Sequence, residues 1–312
     1  MRQSEHRLIG LEPDNLLAFL ALLGVLRSLD HQGIRMRVSW GGQPLRPTLH
    51  FPQAVTQDAL LEVVNSGCSE LAKVHDFDRA DLSFATADAR AMLERARSTP
   101  LAQELWSALL SDGALKEGDE DAQTAPPCAM FGQGHQHFLQ RLTDIPQGKL
   151  PKELAKQKKP PNLNASSYLA AALFATWNRS DPTESFRWDP AEDRRYALRF
   201  ENPSTDKGLT VHGANRLAAI GFPLLTCVPA RVRRIRLTPR GGHWDRKTGT
   251  FSFRWPIWQQ SATLPAILAL LNHPKLEHGS ITELGITTVF QTDRISVGKF
   301  FNFTRARRVD KS

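Results

Sequence analysis

The feature that most constrains the fold is a helical segment that is apolar on almost every face. Residues 16–29 read LLAFLALLGVLRSL, and the apolar run within them, 16–26, is interrupted only by Gly24. The preceding residues 13–15 (PDN) offer side-chain oxygens that cap the exposed amides of a helix start. A helix without a polar face must be surrounded by other elements. Because the run is shorter than the ~20 residues that span a bilayer, we expect a buried helix at the centre of a core.

The remaining hydrophobic patterns predict an α+β protein, mainly helical in its N-terminal half and mixed α/β in its C-terminal half. With 312 residues and 41 % hydrophobic content, the chain is globular and long enough for one large domain or two ordinary ones. Further helices are expected over about 56–66, 83–98, 101–110, 166–177, 213–219 and 263–271. Strands are expected over 34–40, 196–200, 233–238, 250–255 and 287–291, with a strand or extended lead-in at 8–11.

Charge divides the chain more sharply than hydropathy does. Residues 1–150 contain 14 Lys/Arg and 19 Asp/Glu, whereas residues 151–312 contain 26 and 13, and 17 of those 26 cations are arginine. Arginine presents a rigid fork that suits phosphates and guanine edges. A basic half of this kind indicates a polyanionic partner, and a solvated basic face that binds nothing is the alternative.

A proline-bracketed, lysine-rich segment, PQGKLPKELAKQKKPP at 146–161, separates the two halves. We therefore divide the chain into three regions. Residues 1–148 form a helical, acidic, partner-facing region, residues 149–162 a basic linker or loop, and residues 163–312 a mixed α/β, basic, nucleic-acid-binding region.

The N-terminal sequence and the cysteines favour the reducing cytoplasm. The first residues, MRQSEHRLIGLEPD, have no apolar core and no small-residue cleavage site, so no export signal is visible. Cys68, Cys128 and Cys227 are far apart and odd in number, which suits neither a disulfide framework nor a zinc site. We expect a cytoplasmic protein with no membrane partner.

The common catalytic signatures are missing from the sequence: it has no GxxxxGK[ST] loop, HExxH helix, GxSxG elbow or CxxC pair. His135 and His137 are two metal-ligating side chains, but no nearby Cys, Asp or Glu completes a set. Asp189, Glu192 and Asp193 are a candidate magnesium cluster for nuclease chemistry, although local pairing with interleaved arginines explains them more simply. We expect no catalytic residue, no metal and no cofactor.

A dense arginine segment, VPARVRRIRLTPR at 228–240, is the strongest binding candidate. On a single strand, Arg234 and Arg236 would share one face, and Arg231 and Arg233 the other. A strand with arginine on both faces belongs at a sheet edge or in a groove. The residues that follow at 241–245, GGHWD, are typical of a hairpin turn.

Aromatic side chains follow the arginine segment and leave two interpretations open. Arginine interleaved with aromatic residues grips single strands by phosphate contact and base stacking. Buried sheet residues give the same pattern. At the C-terminus, GKFFNFTRARR, the phenylalanines are expected to anchor the core while the surrounding charges are free to bind. The aromatic residues with both interpretations are Trp244, Phe251, Phe253, Trp255 and Trp258.

Three stretches, in chain order, resemble one protein family. They are LIGLEPDNLLAFLALLGVLRSL (8–29), RWDPAEDRRYALRFENPS with HGANRLAAIGFPLL (187–204 and 212–225), and GKFFNF (298–303). The family comes from type I-G CRISPR loci, formerly called I-U. Its members are described as a short form of the large subunit of the crRNA-guided complex or as an extension associated with the helicase–nuclease.

The resemblance implies a non-enzymatic, DNA-engaging component of antiviral defence. In type I complexes the guide reads the long target by pairing, while the large subunit reads the flanking motif, helps to open the duplex and holds the displaced strand. Implied partners are the backbone subunits with their guide RNA, target double-stranded DNA and the helicase–nuclease. Large subunits commonly carry a C-terminal four-helix bundle, and four long amphipathic helices are not found after residue 200.

We therefore expect a non-catalytic nucleic-acid-binding subunit of the effector complex, contacting DNA or guide RNA. One alternative is an adaptor or helicase–nuclease extension that touches nucleic acid incidentally. Another is an RNA-processing or nuclease component that uses Asp189, Glu192 and Asp193. The expected nucleic-acid-binding residues are Arg194, Arg195, Arg199, Arg216, Arg231, Arg233, Arg234, Arg236, Arg240, Lys299 and Arg305.

Overall fold

The computed structural model describes residues 4–115, 122–130, 137–192, 209–232, 234–279, 281–297 and 300–309. Helices predominate in the N-terminal half and strands in the C-terminal half, which confirms the predicted α+β class. The α-helices described are α1 (Leu16–His31), α2 (Gln57–Leu71), α3 (Thr86–Ala96), α4 (Pro100–Leu109), α5 (Phe138–Asp144), α6 (Lys152–Ala155), α7 (Ser166–Phe174), α8 (His212–Gly221) and α9 (Leu264–Leu271). The strands are β1 (Ser4–Arg7), β2 (Arg37–Gly41), β3 (Arg46–Phe51), β4 (Cys227–Val232), β5 (Arg234–Pro239), β6 (Gly242–Trp244), β7 (Phe251–Trp258), β8 (Ile286–Val297), β9 (Phe300–Phe303) and β10 (Arg307–Arg308).

The helix α1 lies at the centre of the core, as its sequence predicts. Residues 16–29 are all buried, and Asn15 caps the helix by accepting a hydrogen bond from the Ala18 amide (3.4 Å). The helix α8 packs directly against it. Glycine permits this approach, because a Cβ at Gly24 would lie 1.9 Å from the backbone oxygen of Leu217. The α1–α8 pair therefore joins the N-terminal half of the chain to the C-terminal half.

One hydrophobic cluster runs through both halves. It extends from Leu8 to Ala306 and includes residues of α1, α2, α8 and β7. Reciprocal main-chain hydrogen bonds between Val38 of β2 and Ala262 (2.9 and 2.8 Å) also join the halves. The first and third regions defined by charge thus share a core, so the segment 149–162 divides the chain by charge rather than by packing.

Two antiparallel sheets and a separate ribbon surround the helices. The small sheet has the strand order β1–β3–β2, and the larger one has the order β10–β8–β7–β6, with β9 paired to β8. The strand β7 faces the central helix, where the ring of Trp255 stacks on Phe19 with centroids 5.4 Å apart. The strands β4 and β5 pair only with each other among the described strands, and we call them the β4–β5 ribbon.

Strand predictions are less accurate than helix predictions. The expected extended segment 8–11 is wrong as a strand, because β1 ends at Arg7 and a turn follows. The hairpin turn expected at 241–245 is partly correct, because residues 240–241 form a turn before β6. Gly242–Trp244 forms β6, and the turn that joins β6 to β7 lies at 246–248. The strand expected at 196–200 lies outside the described residues.

No helix in the described ranges combines the length and the apolarity that a membrane crossing requires. The three cysteines, Cys68, Cys128 and Cys227, are buried thiols that are not joined to one another. Burial raises the pKa of all three thiols, so each is held in its neutral form.

Candidate nucleic-acid interface

The arginine segment folds as a hairpin. The strands β4 and β5 pair antiparallel, from Cys227 opposite Pro239 to Val232 opposite Arg234, and Arg233 itself lies outside the described residues. Across the ribbon, Arg231 is opposite Ile235 and Ala230 is opposite Arg236. The strand expected over 233–238 agrees closely with β5, whereas Arg231 lies on the separate strand β4, which was not predicted. Because directly opposed residues share a face, Arg231 and Arg236 lie on opposite faces of the ribbon.

The base of the ribbon is anchored in the protein body. Cys227 and Leu237 are buried, and the Cys227 thiol donates a hydrogen bond to the backbone oxygen of Ala108 in α4 (3.2 Å). Farther along, the Gln123 side-chain amide donates to the backbone oxygen of Ile235 (3.0 Å). These contacts fix the direction of the ribbon while its far half reaches solvent.

The far half of the ribbon combines positive charge with exposed apolar surface. Arg231 is exposed and forms no ion pair with any described residue. Ile235 in this half is 38 % exposed, and Val228, which is opposite Thr238 near the base, is 60 % exposed. A surface of this composition suits DNA, where guanidinium groups meet phosphates or guanine edges and apolar side chains meet sugars and thymine methyl groups.

Arg236 is held by an aromatic ring of the neighbouring sheet. Its guanidinium carbon lies 4.8 Å from the ring centroid of Trp244 in β6, within the range of a cation–π contact. The Trp244 indole in turn donates to the backbone oxygen of Leu237 (3.3 Å). Arg236 is half-buried, so this stack fixes its orientation beside the ribbon.

Arg240 lies at the base of the ribbon. Its guanidinium donates to the Thr226 hydroxyl (3.3 Å), and its backbone amide donates to the Thr226 carbonyl (3.0 Å). Partial burial lowers its pKa, an effect that the charge of Glu104 opposes. This arginine supports the junction between the ribbon and the body.

Arg216 is a core residue and not a surface cation. It is only 1 % exposed. Its guanidinium donates to the backbone oxygen of Pro146 (3.2 Å), to the Ser69 hydroxyl (3.0 Å) and to the side-chain oxygen of Asn65. Burial lowers its pKa. The sequence-based expectation that Arg216 binds nucleic acid is therefore corrected, because its donors already hold α8 against α2.

Arg305 is paired with carboxylates at the start of α1. It donates twice to Asp14 (2.7 and 2.9 Å) and once to Glu12 (2.7 Å), and these contacts raise its pKa. Its charge is thus balanced within the protein, and it ties the C-terminal segment to the central helix.

The remaining predicted binding residues cannot be added to this geometry. Arg234 is described through its backbone pairing with Val232. The others lie outside the described residues and stay predictions: Arg194, Arg195, Arg199, Arg233 and Lys299.

Most of the aromatic residues near the ribbon belong to the sheet core. This excludes them from stacking on bases, since four rings are at most 2 % exposed. Phe303 near the C-terminus is likewise 2 % exposed, in line with its expected role as a core anchor. Trp244, which lies beneath Arg236, stays partly exposed. The four buried rings are Phe251, Phe253, Trp255 and Trp258.

The carboxylates proposed for nuclease chemistry are engaged in structural contacts. Asp189 accepts hydrogen bonds from Arg179 (2.8 Å), the Asn15 amide group (3.0 Å) and the backbone amide of Ala191 (3.0 Å). It therefore helps to orient the residue that caps α1. Its acceptors are occupied by protein donors, which leaves little capacity for a magnesium ion.

Glu192 is also buried, and the Thr210 hydroxyl donates to its carboxylate. Burial raises the pKa of Glu192 to about 7. Asp193 and His135 lie outside the described residues, and His137 lies 3.6 Å from Asp81. No group of three or more His, Cys, Asp or Glu side chains is placed to hold a metal ion in the part of the chain that is described.

A polar chain that the sequence patterns do not predict crosses the small sheet. The Ser39 hydroxyl lies 2.8 Å from Nε2 of His50, and Nδ1 of His50 lies 3.0 Å from Glu5. Ser39 and His50 also line a cavity of about 880 Å³. The Glu5 side chain is 65 % exposed, so water screens its charge from the imidazole. We interpret the chain as cross-strand polar contacts.

Protein-family models and curated protein sequences both gave no match to this chain. Functional inference therefore depends on the residues themselves. The structure brings Arg231 and Arg236 together on the β4–β5 ribbon. It separates from them Arg216 and Arg305, whose guanidinium groups are occupied elsewhere.

Proposed function

We propose that this protein is a non-catalytic, cytoplasmic nucleic-acid-binding subunit of a type I CRISPR effector complex. Its task is to engage target DNA beside the guide-paired region and to help recruit the helicase–nuclease. The observation that carries the proposal is the β4–β5 ribbon, with its anchored base, exposed Arg231 and ring-supported Arg236. The resemblance of three stretches to the type I-G family supplies the biological setting.

The ribbon has a form that suits a duplex groove. The major groove, about 12 Å wide, admits a two-stranded β-ribbon. Because Trp244 covers the face that carries Arg236, the opposite face, with Arg231, is open to the groove, while the Arg236 guanidinium meets a phosphate at the rim. Such contacts position the protein through phosphates and read guanine through its O6 and N7 acceptors.

The exposed apolar residues support a role in strand opening. Ile235 is directly opposite Arg231 on the same face of the ribbon and is 38 % exposed. Apolar side chains that enter a base step unstack it and favour opening of the duplex. The arginines then supply affinity, while the neighbouring isoleucine acts on the base stack.

A salt titration of DNA binding tests the proposal. Each neutralised phosphate adds about 0.9 to the slope of log K against log salt concentration. For forked duplex DNA, we expect the double substitution Arg231→Ala and Arg236→Ala to reduce that slope by about 1.8, the value for two phosphate contacts. Fluorescence anisotropy from low to moderate salt measures the change.

A charge-matched control separates a local contact from a general charge effect. Arg35 and Arg97 are exposed, and Arg97 pairs with Glu94. Their double replacement by alanine removes the same charge far from the ribbon in sequence. We call the double substitution Arg231→Ala and Arg236→Ala the ribbon variant. If this variant and the control variant both keep the salt slope of the unmodified protein, the ribbon is not the DNA-binding surface.

The second candidate is an adaptor that touches nucleic acid only incidentally. It is favoured by the internal pairing of Arg216 and Arg305, two of the cations on which DNA binding was predicted. An adaptor captures the helicase–nuclease equally well with and without the ribbon arginines. Copurification with the backbone subunits and guide RNA, retained by the ribbon variant together with an unchanged DNA slope, favours this candidate.

A further inference from the structure

A cavity of about 620 Å³ opens beside the lysine-rich segment, away from the β4–β5 ribbon. Its wall is formed by α5, the residues that follow it up to Lys152, and the first residue of α8, His212. None of its lining residues belongs to β4 or β5. The volume lies within the range of small-molecule sites, which is about 300–1,000 Å³.

Two buried polar side chains that line this cavity have unsatisfied hydrogen-bonding atoms among the described residues. His212 is 1 % exposed and Thr183 is 8 % exposed. Within the described part of the chain, the Thr183 hydroxyl makes no hydrogen bond, and the His212 ring has no partner besides the backbone of Leu163. Buried polar groups are almost always satisfied in folded proteins. Two such groups lining one cavity indicate a ligand that supplies the partners.

The His212 ring is held in place by its surroundings. Its backbone amide donates to Asp181 (2.8 Å), and the ring of Tyr168 meets it edge-on with centroids 5.4 Å apart. Burial and the charge of Arg216 lower the pKa of His212 to about 4, although the nearby backbone of Leu163 opposes that shift. At neutral pH the ring therefore has one N–H, which faces the Leu163 backbone, and one nitrogen that is left to accept a hydrogen bond.

The cavity therefore offers hydrogen-bond donors and acceptors to the edge of a neutral ligand. The Thr183 hydroxyl adds a group that donates and accepts. A planar edge that carries a donor beside an acceptor complements this arrangement. Nucleobases present such edges on their Watson–Crick and Hoogsteen sides.

Positive charge lies among the residues that line the same cavity. Arg141 pairs with Glu184 (3.1 Å) and Lys149 pairs with Asp144 (3.0 Å). Lys152 is exposed and has no carboxylate within ion-pair distance among the described residues. Three cations and two carboxylates leave a positive surplus, which the exposed lysines at 158 and 159 extend along the chain. A phosphate group matches that charge.

We propose that this cavity binds one nucleotide, with the base at His212 and Thr183 and the phosphate towards Lys149 and Lys152. For a nucleotide within a strand, the inference rests on the proposed function and places an unstacked base in the cavity. Proteins that hold single strands bind splayed bases in this manner. A free nucleotide has the same chemistry and does not require the proposed function.

The substitution Thr183→Val tests the base contact. Valine keeps the shape of threonine and removes a hydroxyl that has no partner, so the melting temperature is expected to stay the same or rise. Binding of AMP, CMP, GMP or TMP, measured by calorimetry at low salt, is expected to weaken by about fivefold or more. Thr48→Val, on the remote strand β3, is the matched control and is expected to change neither value.

A second arm distinguishes a free nucleotide from a nucleotide within a strand. A labelled ten-nucleotide single-stranded DNA is titrated against the same variants and against Lys152→Glu. Weakening of mononucleotide binding by Thr183→Val supports a free ligand, and weakening of oligonucleotide binding alone supports a strand. The proposal is overturned if Thr183→Val leaves every measured affinity unchanged, or if the unmodified protein binds neither probe.

These measurements test the cavity proposal and the ribbon proposal independently. The ribbon variant Arg231→Ala with Arg236→Ala is expected to bind mononucleotides as the unmodified protein does. If it also loses mononucleotide binding, the cavity is not a separate site, and this inference is overturned. The salt dependence of DNA binding by the ribbon variant bears on the proposed function alone.

Discussion

The α1–α8 pair and the β4–β5 ribbon both carry arginine, but they place it in opposite environments. In the helix pair, Arg27 is 5 % exposed and donates to the backbone oxygen of Ile220 (2.8 Å) and to Glu104 (2.5 Å). On the ribbon, Arg231 is exposed and unpaired with any described carboxylate. The first arginine joins two helices, whereas the second is available to a partner.

The difference teaches that a charge count along the sequence overstates the charge offered to a ligand. Arg216 and Arg305 both contribute to the basic surplus of the C-terminal half, yet their guanidinium groups are used inside the protein. Arginine suits both roles because its planar fork can satisfy several acceptors at once. The partners of each side chain, rather than its type, decide which role it has.

The largest effect is expected where the two helices touch. A leucine at Gly24 would drive its Cβ into the backbone of Leu217, which is 1.9 Å from that position. Backbone atoms cannot move aside as a side chain can, so we expect Gly24→Leu to lower the free energy of unfolding by about 4 kcal/mol or more. Urea denaturation followed by circular dichroism measures this change.

Gly41 is the matched control for that substitution. It lies at the end of β2 at a negative φ, and a Cβ there would meet nothing within 4 Å. Gly41→Ala is expected to change the free energy of unfolding by less than about 0.5 kcal/mol. If Gly24→Leu is equally harmless, α1 and α8 do not pack as closely as described, and the description of a shared core is contradicted.

The second-largest loss of stability is expected for a buried arginine, and an exposed arginine is its comparison. Arg27→Ala leaves the Glu104 carboxylate without its partner and the Ile220 carbonyl without its donor, and it opens a cavity. Because Glu104 is 30 % exposed and water can reach it, we expect a loss of about 3 kcal/mol, at the lower end for a broken buried pair. Arg231→Ala is expected to cost less than about 0.5 kcal/mol. Equal losses in urea denaturation would remove the distinction between the two regions.

The helices could be predicted from the sequence because their signals are local. Asn15 and Thr56 cap α1 and α2 within one residue of the predicted starts. The strand β5 lies close to the predicted strand 233–238, but β4 and its pairing could not be predicted, since the sequence between the two strands has none of the glycine or asparagine that marks a tight hairpin. Alternating arginines fit one long strand as well as two short ones, and only pairing decides between them.

The candidate sites depend on contacts between residues far apart in the chain, which a single sequence does not reveal. Arg216 finds its acceptors at Asn65 and Ser69, about 150 residues earlier. His212 and Thr183 line one cavity with Lys149 although they belong to separate segments. Sequence patterns mark such residues as polar and do not say whether they are buried. Burial is what turned one predicted binding arginine into a core residue and two unremarked side chains into a candidate site.

The smallest effect sharpens the comparison between the two regions, because Arg305 belongs to neither extreme. Its side chain is 53 % exposed but bridges Asp14 and Glu12. For such a bidentate surface pair we expect Arg305→Ala to cost about 1 kcal/mol in low salt, and less in 1 M salt, where the pair is screened. Its DNA-binding slope is expected to match that of the unmodified protein. A slope reduced as in the ribbon variant would instead mean that Arg305 exchanges its carboxylates for phosphate, as the sequence predicted, and that intramolecular pairing does not withdraw an arginine from binding.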